Sequence, residues 1–184
     1  MNIKGTAVKI LPQFVRERYQ EYYSVWLSNL PPESRQIFEN EIYASHWYPM
    51  YEAAVLPTQV LGKLFFDSAE ECAFRVGYYS GDQALKGVYK IFATITSVNF
   101  YIRKAPSVFG TYYDAAYIQA QLIENRKVVL EIGYTDEKEN LIYHRIKGWL
   151  TALIEITQKG APVIELQTVK QPDGKFLGKF LIQW

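Results

Sequence analysis

Apolar and polar residues follow two different periods along the chain, and the change falls near Tyr112. Before this residue, apolar side chains recur every three or four positions, as they do on one face of a helix. After it, they alternate with polar residues, as they do on the two faces of a strand. The pattern therefore predicts helices in the N-terminal part and a sheet in the C-terminal part.

Prolines and candidate helix caps divide the N-terminal part into elements. A short strand is predicted within 3–11, and a helix from Pro12 to Leu30, because the fixed φ of proline suits the first turn. Pro31-Pro32 ends that helix and begins the next one. A third helix is predicted after Ser45, with Pro49 in its first turn.

Further helices are predicted downstream from local signals. Pro57 should interrupt the third helix, since it removes a backbone donor. Asp67-Ser-Ala-Glu70 and Ser80-Gly-Asp-Gln83 resemble capping boxes, so each should open a separate helix. The segment 77–81, with a glycine at each end, would connect those two helices. Pro106 should end a short helix that begins at Val98.

The C-terminal part shows clear strand patterns. The elements predicted there are, in order, strands at 116–122 and 128–132, a helix from Glu137 to Gln158, and strands from Val163 to Val169 and from Phe176 to Trp184. Pro172-Asp-Gly174 supplies the turn of the last hairpin. The predicted fold class is α+β, with N-terminal helices packed on a four-stranded antiparallel sheet and a strand–strand–helix–strand–strand C-terminal half. Residues 1–184 form one predicted domain, mainly helical over 1–110 and sheet-forming over 111–184.

Composition narrows the possible functions. Aromatic residues make up 16% of the chain, which favours a large core and room for a lined cavity. The net charge is +1 and no basic tract occurs, so no nucleic-acid partner is expected. The one cysteine excludes an internal disulfide and a multi-cysteine metal site. No apolar run reaches the ~20 residues of a membrane-spanning helix, so a cytoplasmic location is expected.

Three residues are candidates for chemistry. His46, within S-H-W-Y-P-M-Y, could ligate a metal or a haem, or it could pack at a helix entry; without a second ligand at metal-site spacing, the packed role is favoured. His144 should face away from the apolar stripe of its helix, so Tyr143-His144-Arg145 is expected to form a surface patch or, alternatively, a partner surface. Cys72 should be a buried structural thiol, because its acidic neighbours Glu70 and Glu71 disfavour a thiolate. No catalytic residue and no metal ligand is predicted.

Several short strings resemble a known group of proteins. They are K-G-T-A-V-K, S-H-W-Y-P, A-L-K-G-V-Y-K-I-F, R-K-A-P-S-V-F-G-T-Y-Y-D, K-G-W-L, K-G-A and the final I-Q-W. Together they resemble a bacterial family distantly related to the haem nitric-oxide-binding domains, the 4-vinyl-reductase-like domains and the transport-particle (TRAPP-like) subunits. The resemblance implies a helical layer over a four-stranded sheet, with a pocket between them. It also implies that some members use the scaffold as dimers.

The chain departs from the haem-binding members of that group. The resemblance implies a proximal histidine on a central helix and a Tyr-x-Ser-x-Arg signature for the haem propionates. No histidine occurs between Trp47 and Tyr143, and the string compared with the signature, Tyr101-Ile-Arg103, lacks both the serine and the spacing. The expectation is therefore that the protein carries no cofactor, with haem disfavoured.

The resemblance and the aromatic content together predict a non-enzymatic small-molecule-binding or sensory domain with a hydrophobic pocket. Its unidentified ligand would be a hydrophobic small molecule. The tentative pocket wall consists of Trp47, Tyr48, Tyr51, Phe92, Phe100 and Phe109. For each residue alone a plain core role is favoured, and only the cluster indicates a pocket. The alternative is a protein-interaction scaffold that acts as a homodimer.

Overall fold

A computed structural model describes residues 1–86, 98–114, 117–124, 126–158 and 160–184, and only the backbone at 98–103 and 158. The helical elements are, in order, α1 (Gly5–Val8), α2 (Ile10–Arg18), a 3-10 turn (Gln20–Tyr22), α3 (Tyr23–Ser28), α4 (Pro32–Glu39), a π-helical turn (Tyr51–Val55), α5 (Leu56–Phe65), α6 (Ala69–Lys86), α7 (Val98–Tyr112), a 3-10 turn (Glu137–Glu139) and α8 (Leu141–Gln158). The strands are β1 (Asn2–Lys4), β2 (Trp47–Pro49), β3 (Tyr117–Glu124), β4 (Lys127–Thr135), β5 (Val163–Lys170) and β6 (Phe176–Gln183). Phe92 lies outside the described residues.

The main sheet has the order β3-β4-β6-β5, and every neighbouring pair is antiparallel. Leu130 of β4 pairs with Phe180 of β6, which pairs in turn with Leu166 of β5. One face of the central strands is buried, because its apolar side chains pack against helices; its members are Val128, Leu130, Ile132, Phe180 and Ile182. The predicted α+β class with a four-stranded antiparallel sheet is confirmed. The proposed division at 110/111 stays a prediction.

Helices α6 and α8 pack at unusually short range through glycines. A Cβ atom on Gly77 would lie 1.8 Å from the carbonyl oxygen of Arg145, and one on Gly148 would lie 2.0 Å from that of Phe74. Both contacts are far below van der Waals range, so only glycine permits this helix spacing. Helix α6 therefore continues to Lys86, and the predicted break near Ser80 is wrong. The glycines serve a helix contact rather than a turn.

Tertiary packing also overrides two predicted helix boundaries. Helix α7 continues through Pro106 to Tyr112, so the predicted stop there is wrong. Ala105 and Phe109, one turn apart on this helix, are both buried, and that burial favours a continuous helix. The predicted helix from Pro12 to Leu30 is broken at Tyr19, whose ring stacks on Phe65 at 4.6 Å.

The segment around His46 is extended rather than helical. Strand β2 pairs antiparallel with β1, with Ile3 opposite Tyr48, and the amide of Gly5 donates to the carbonyl of His46 at 2.8 Å. The predicted helix entry at His46 is therefore wrong, because a distant strand supplies hydrogen bonds that the local pattern did not reveal. The predicted interruption at Pro57 is wrong, because the π-helical turn continues directly into α5 and the backbone angles of Val55 and Leu56 are helical; only the hydrogen-bond pattern changes there.

Within the described ranges, no helix combines the length and the apolar character that crossing a bilayer requires.

Candidate ligand cleft

A cleft of about 300 Å³ opens between helices that come from distant parts of the chain. Its walls are built by α1, α2, α6, α7 and α8. The residues that line it are Thr6, Ala7, Ile10, Ser80, Gln83, Ala84, Val108, Phe109, Tyr112, Tyr113 and Trp149. Most of this surface is apolar, and a few hydroxyl and amide groups converge on it. That combination is typical of sites for small molecules.

Aromatic rings form one side of the cleft. The ring of Phe109 meets Trp149 edge to face, with centroids 5.6 Å apart, and lies 6.2 Å from the ring of Tyr113. A small adjoining cavity reaches from Phe109 and Trp149 to Leu130 on the buried face of the sheet. The cleft itself is walled by helices, and the small adjoining cavity is what extends toward the sheet.

Tyr113 is held in place by the first strand. It forms an isolated antiparallel bridge with Ile3, and the amide of Asp114 donates to the carbonyl of Asn2 at 3.2 Å. The side-chain amide of Asn2 donates to the Asp114 carboxylate at 2.7 Å. Tyr113 is 8% exposed, and burial raises the pKa of its phenol, although the positive charge of Arg145 opposes this change. The phenol is a neutral group at the base of the cleft.

A second cleft, of about 640 Å³, lies over α2, the end of α5 and α6. Charged side chains surround its opening; they are Arg18, Asp67, Glu71, Arg75 and Asp82. Arg75 pairs with Glu71 at 3.5 Å, and Lys86 pairs with Asp82 at 2.7 Å. These groups hydrate the opening, so the smaller and more apolar cleft is the better candidate for a hydrophobic ligand.

The predicted wall residues are only partly brought together. Phe109 lines the cleft, and Phe100 lies on α7 at a position where only the backbone is described. Trp47 is 44% exposed, and the ammonium group of Lys4 lies over its ring. The ammonium group of Lys138 lies over the ring of Tyr51, 4.5 Å from the ring centroid. The hydroxyl of Tyr48 accepts from the amide of Tyr43 at 2.8 Å. These three aromatics do not line the cleft, and a ligand-binding role for them stays a prediction.

Neither histidine lines the cleft. His46 is exposed, with its ring 5.0 Å from that of Tyr43. Among the described residues, no group of three or more histidine, cysteine or acidic side chains is arranged to hold a metal ion. Cys72 is fully buried, and burial raises the pKa of its thiol to about 12, so the prediction of a buried structural thiol is confirmed.

The expected surface patch at Tyr143-His144-Arg145 is wrong. Tyr143 is fully buried and Arg145 is 3% exposed, while His144 is half-buried. Helix α8 lies in the middle of the fold, with α6 on one side and the sheet on the other, so more than one of its faces is covered. A single apolar stripe therefore underestimates how much of a central helix is buried.

His144 should make stability depend on pH. Burial lowers the pKa of its imidazole, Lys147 adds to the effect and Glu70 opposes it. The folded state therefore favours the neutral imidazole. The contribution of His144 to the free energy of unfolding is fully present above the pKa of the unfolded state, about 6.5, and is lost as the pH falls through the pKa of the folded state. The free energy of unfolding is measured with urea at pH 7.5 and at pH 5.0. Its decrease between these two pH values should be smaller in His144→Gln than in the wild type. His46→Gln, at an exposed site, is the matched control; identical losses in all three proteins would contradict the prediction.

A string with the spacing of the Tyr-x-Ser-x-Arg signature escaped the sequence analysis. It is Tyr134-x-Asp136-x-Lys138, at the end of β4 and in the following 3-10 turn. Asp136, the middle residue of this string, caps that turn and accepts a hydrogen bond from the ammonium of Lys175 at 2.6 Å, which lowers the pKa of the carboxyl. Lys138 retains a positive charge where the signature has arginine. Allowing conservative replacements in the search would have found the string.

Comparison with solved structures places the fold among H-NOX proteins. No family model and no curated protein matches the sequence. A Fe(II) unliganded H-NOX mutant from K. algicida matches with a TM-score of 0.69 and 15% identity, over 98% of this chain and 96% of that one. An H-NOX protein from S. oneidensis in the Fe(II)NO state matches with a TM-score of 0.65 and 11% identity, over 99% and 100%. A structure described as showing haem redox potential modulated by porphyrin distortion matches with a TM-score of 0.70 and 14% identity, over 99% and 100%.

The chain therefore has the H-NOX fold, and the predicted resemblance to haem nitric-oxide-binding domains is confirmed at the level of the fold. The expectation of no cofactor, with haem disfavoured, is contradicted, because the proteins that share this fold are described with iron and with haem. The expectation treated a histidine on a central helix as necessary for haem binding. That criterion is too narrow, since the side chain that binds haem iron varies among proteins.

Proposed function

We propose that this protein is a non-enzymatic sensory domain that binds a small hydrophobic ligand in the cleft between its helices. The observation that carries the proposal is the aromatic-walled cleft of about 300 Å³, which occurs in a fold shared with H-NOX proteins. A cytoplasmic location and the role of the predicted wall residues remain parts of the proposal.

Haem is the first ligand to test. The walls are apolar and include the rings of Phe109 and Trp149, which suits a hydrophobic ligand. At about 300 Å³ the cleft is at the lower end of the range for ligand pockets, so haem would have to widen it. Among the described residues that line the cleft, the candidate iron ligands are the phenols of Tyr112 and Tyr113 rather than an imidazole. Tyr113 would hold the iron only as a phenolate, so binding would have to displace the proton that burial favours. Tyrosine is an established haem ligand in other folds. Haem iron, when bound, supplies a coordination position for a small gaseous molecule.

Absorption spectroscopy with added haemin tests this assignment directly. We expect a saturable Soret band in the wild type, and a changed band position or weaker binding in Tyr113→Phe. Tyr43→Phe, at a half-exposed tyrosine, removes a hydroxyl elsewhere and should bind like the wild type. Absence of saturable binding would overturn haem as the ligand, whereas equal spectra in all three proteins would overturn the role of Tyr113.

Filling the cleft should abolish ligand binding without unfolding the protein. Ala84 lines the cleft and is partly exposed there, so Ala84→Phe places a ring in the space that a ligand needs. We expect binding of haemin at least ~10-fold weaker, which corresponds to about 1.4 kcal/mol. The free energy of unfolding, from urea denaturation, should change by under about 1 kcal/mol, since a partly exposed site accommodates the ring. Ala44→Phe, at an exposed alanine, is the control; unchanged affinity in Ala84→Phe would place the ligand elsewhere.

Exposed apolar side chains at the sheet edges support a second candidate function, homodimerisation. Leu122 and Ile123 of the edge strand β3 are 50% and 51% exposed, and Val163 of the opposite edge strand β5 is 60% exposed. Unpaired edges with apolar side chains favour strand pairing with another chain. Sedimentation analysis should then show a dimer that Ile123→Lys converts to a monomer. A wild-type monomer at every accessible concentration would remove this candidate.

A further inference from the structure

The second cleft has an aromatic lining. Six of the side chains that line it carry rings; they are Phe14, Tyr19, Phe65, Phe66, Tyr78 and Tyr79. The ring of Tyr19 stacks on that of Phe65, with centroids 4.6 Å apart, and meets that of Phe66 edge to face at 5.9 Å. These three residues are partly exposed, so apolar ring surface remains in contact with solvent. A flat apolar group that covered this surface would gain hydrophobic and ring–ring contact.

Charged side chains of both signs line the same cleft, and one of each sign lacks a partner. Glu71, Arg75 and Asp82 take part in ion pairs along α6. None of the ion pairs within the described ranges includes Arg18 or Asp67. These two exposed residues come from different segments, α2 and the connection between α5 and α6. The cleft therefore combines an unpaired cation and an unpaired anion with an apolar surface.

Two guanidinium groups lie near the ring of Tyr19. Burial raises the pKa of this phenol, and the positive charges of Arg75 and Arg18 oppose that change. The side chain of Arg75 is 61% exposed, and its nitrogen is 3.5 Å from the carboxylate of Glu71, so this ion pair is weak. Both arginines are therefore available to a negatively charged group of a ligand that lies on the ring of Tyr19.

We propose that the second cleft binds an aromatic zwitterion of the size of an amino acid or a dipeptide. The aromatic lining would contact its side chains, and the carboxylate of Asp67 its ammonium group. Arg18 and Arg75 would bind its carboxylate, a group that the guanidinium fork matches with two parallel hydrogen bonds.

The size and charge of the cleft favour such a ligand. Its volume of about 640 Å³ is in the range of small-molecule sites. Three acidic and two basic side chains line it, so a ligand with a large charge of either sign would meet repulsion. The second cleft shares no lining residue with the smaller cleft, and this inference does not depend on the function proposed for that one.

Isothermal titration calorimetry with three matched ligands tests the proposal on the whole chain without added haemin. The first is the dipeptide phenylalanyl-tryptophan, the second its N-acetyl derivative, which lacks the ammonium charge, and the third its C-terminal amide, which lacks the carboxylate. We expect saturable binding of the free dipeptide, and binding about fivefold weaker for each derivative. Absence of saturable binding of the free dipeptide, or equal affinity for the three ligands, would overturn the proposal.

Two variants assign each charge of the ligand to a residue. Arg18→Gln should weaken binding of the free dipeptide and leave that of the amide unchanged, whereas Asp67→Asn should weaken binding of the free dipeptide and leave that of the N-acetyl derivative unchanged. Arg16→Gln, on the same helix as Arg18, is the matched control, because Arg16 donates to the hydroxyl of Tyr23 and does not line the cleft. Variants that change the affinity for all three ligands alike, or for none, would contradict the assigned roles.

Phe66→Ala tests the aromatic lining. Because all three ligands share the same rings, this variant should weaken the binding of each by a similar factor, about fivefold. Circular dichroism checks that the variant is folded; if it is not, Phe66→Leu, which keeps an apolar side chain and removes the ring, takes its place. Unchanged affinity for all three ligands would exclude the aromatic lining as the binding surface.

Discussion

Gly148→Ala should destabilise the protein by about 3 kcal/mol, although alanine is the better helix former by about 1 kcal/mol. The added methyl group would lie 2.0 Å from the carbonyl oxygen of Phe74 and 2.8 Å from the amide nitrogen of Tyr78. Both atoms belong to the backbone of α6, so no side-chain rotation relieves the contact. The helices α6 and α8 would have to separate along their shared face. Urea denaturation followed by circular dichroism measures the loss.

Gly110→Ala is the matched control for this substitution. Gly110 lies on α7, is exposed, and has no atom within 4 Å of the position that a Cβ would take. At this position the added methyl group meets no steric contact, so only the higher helix propensity of alanine changes the stability. The variant should therefore be more stable than the wild type by up to about 1 kcal/mol. The two substitutions are chemically identical and should have opposite signs. Stabilisation by both would mean that α6 and α8 are not in close contact.

Trp26→Ala should cost about 3–5 kcal/mol of stability, because it empties a large buried site. Trp26 is fully buried on α3, and its ring meets Phe38 edge to face at 5.1 Å. Its indole nitrogen donates to the carbonyl of Pro57 at 3.1 Å, which ties α3 to the first turn of α5. Trp26→Phe keeps most of the ring and loses that hydrogen bond, so a smaller loss of about 1–2 kcal/mol is expected. Chemical denaturation monitored by circular dichroism avoids the change in tryptophan fluorescence.

Trp47→Ala is the control for the buried tryptophan. Trp47 is 44% exposed, and its described contact is the ammonium of Lys4, 4.4 Å above the ring. An exposed cation–π contact contributes about 0.5–1 kcal/mol, so the loss should stay near that range. Equal losses for Trp26→Ala and Trp47→Ala would contradict the burial pattern on which the fold description depends.

The strands of the sheet were the elements that the sequence predicted best. Alternation in β4 and β6 depends on side chains pointing to opposite faces of a strand, a property of local backbone geometry. Pro172-Asp-Gly174 marks the last turn, and Gly174 has a φ of +82°, a conformation that glycine adopts without strain. Neighbouring residues were enough to predict these elements, since the strands of each hairpin are joined by short turns.

The candidate site was much less predictable. Of the six expected wall residues, Phe109 is the one that lines the cleft in the described structure. Thr6, Ser80 and Trp149 reach the same cleft from three other segments. Each lies in a short string that the sequence made recognisable, but none of those strings indicated a pocket wall. Their meeting depends on how α1, α6 and α8 pack, which no local period encodes.

The sequence by itself determined the fold class and the paired strands, because periodicity and turn chemistry are local properties. The tertiary structure alone decided that Gly77 is a helix contact rather than part of a turn, and that Arg145 is buried rather than exposed. A glycine or a charged residue has the same local preferences in both settings. Its role depends on which distant backbone or side chain lies against it, and that is settled only when the helices pack.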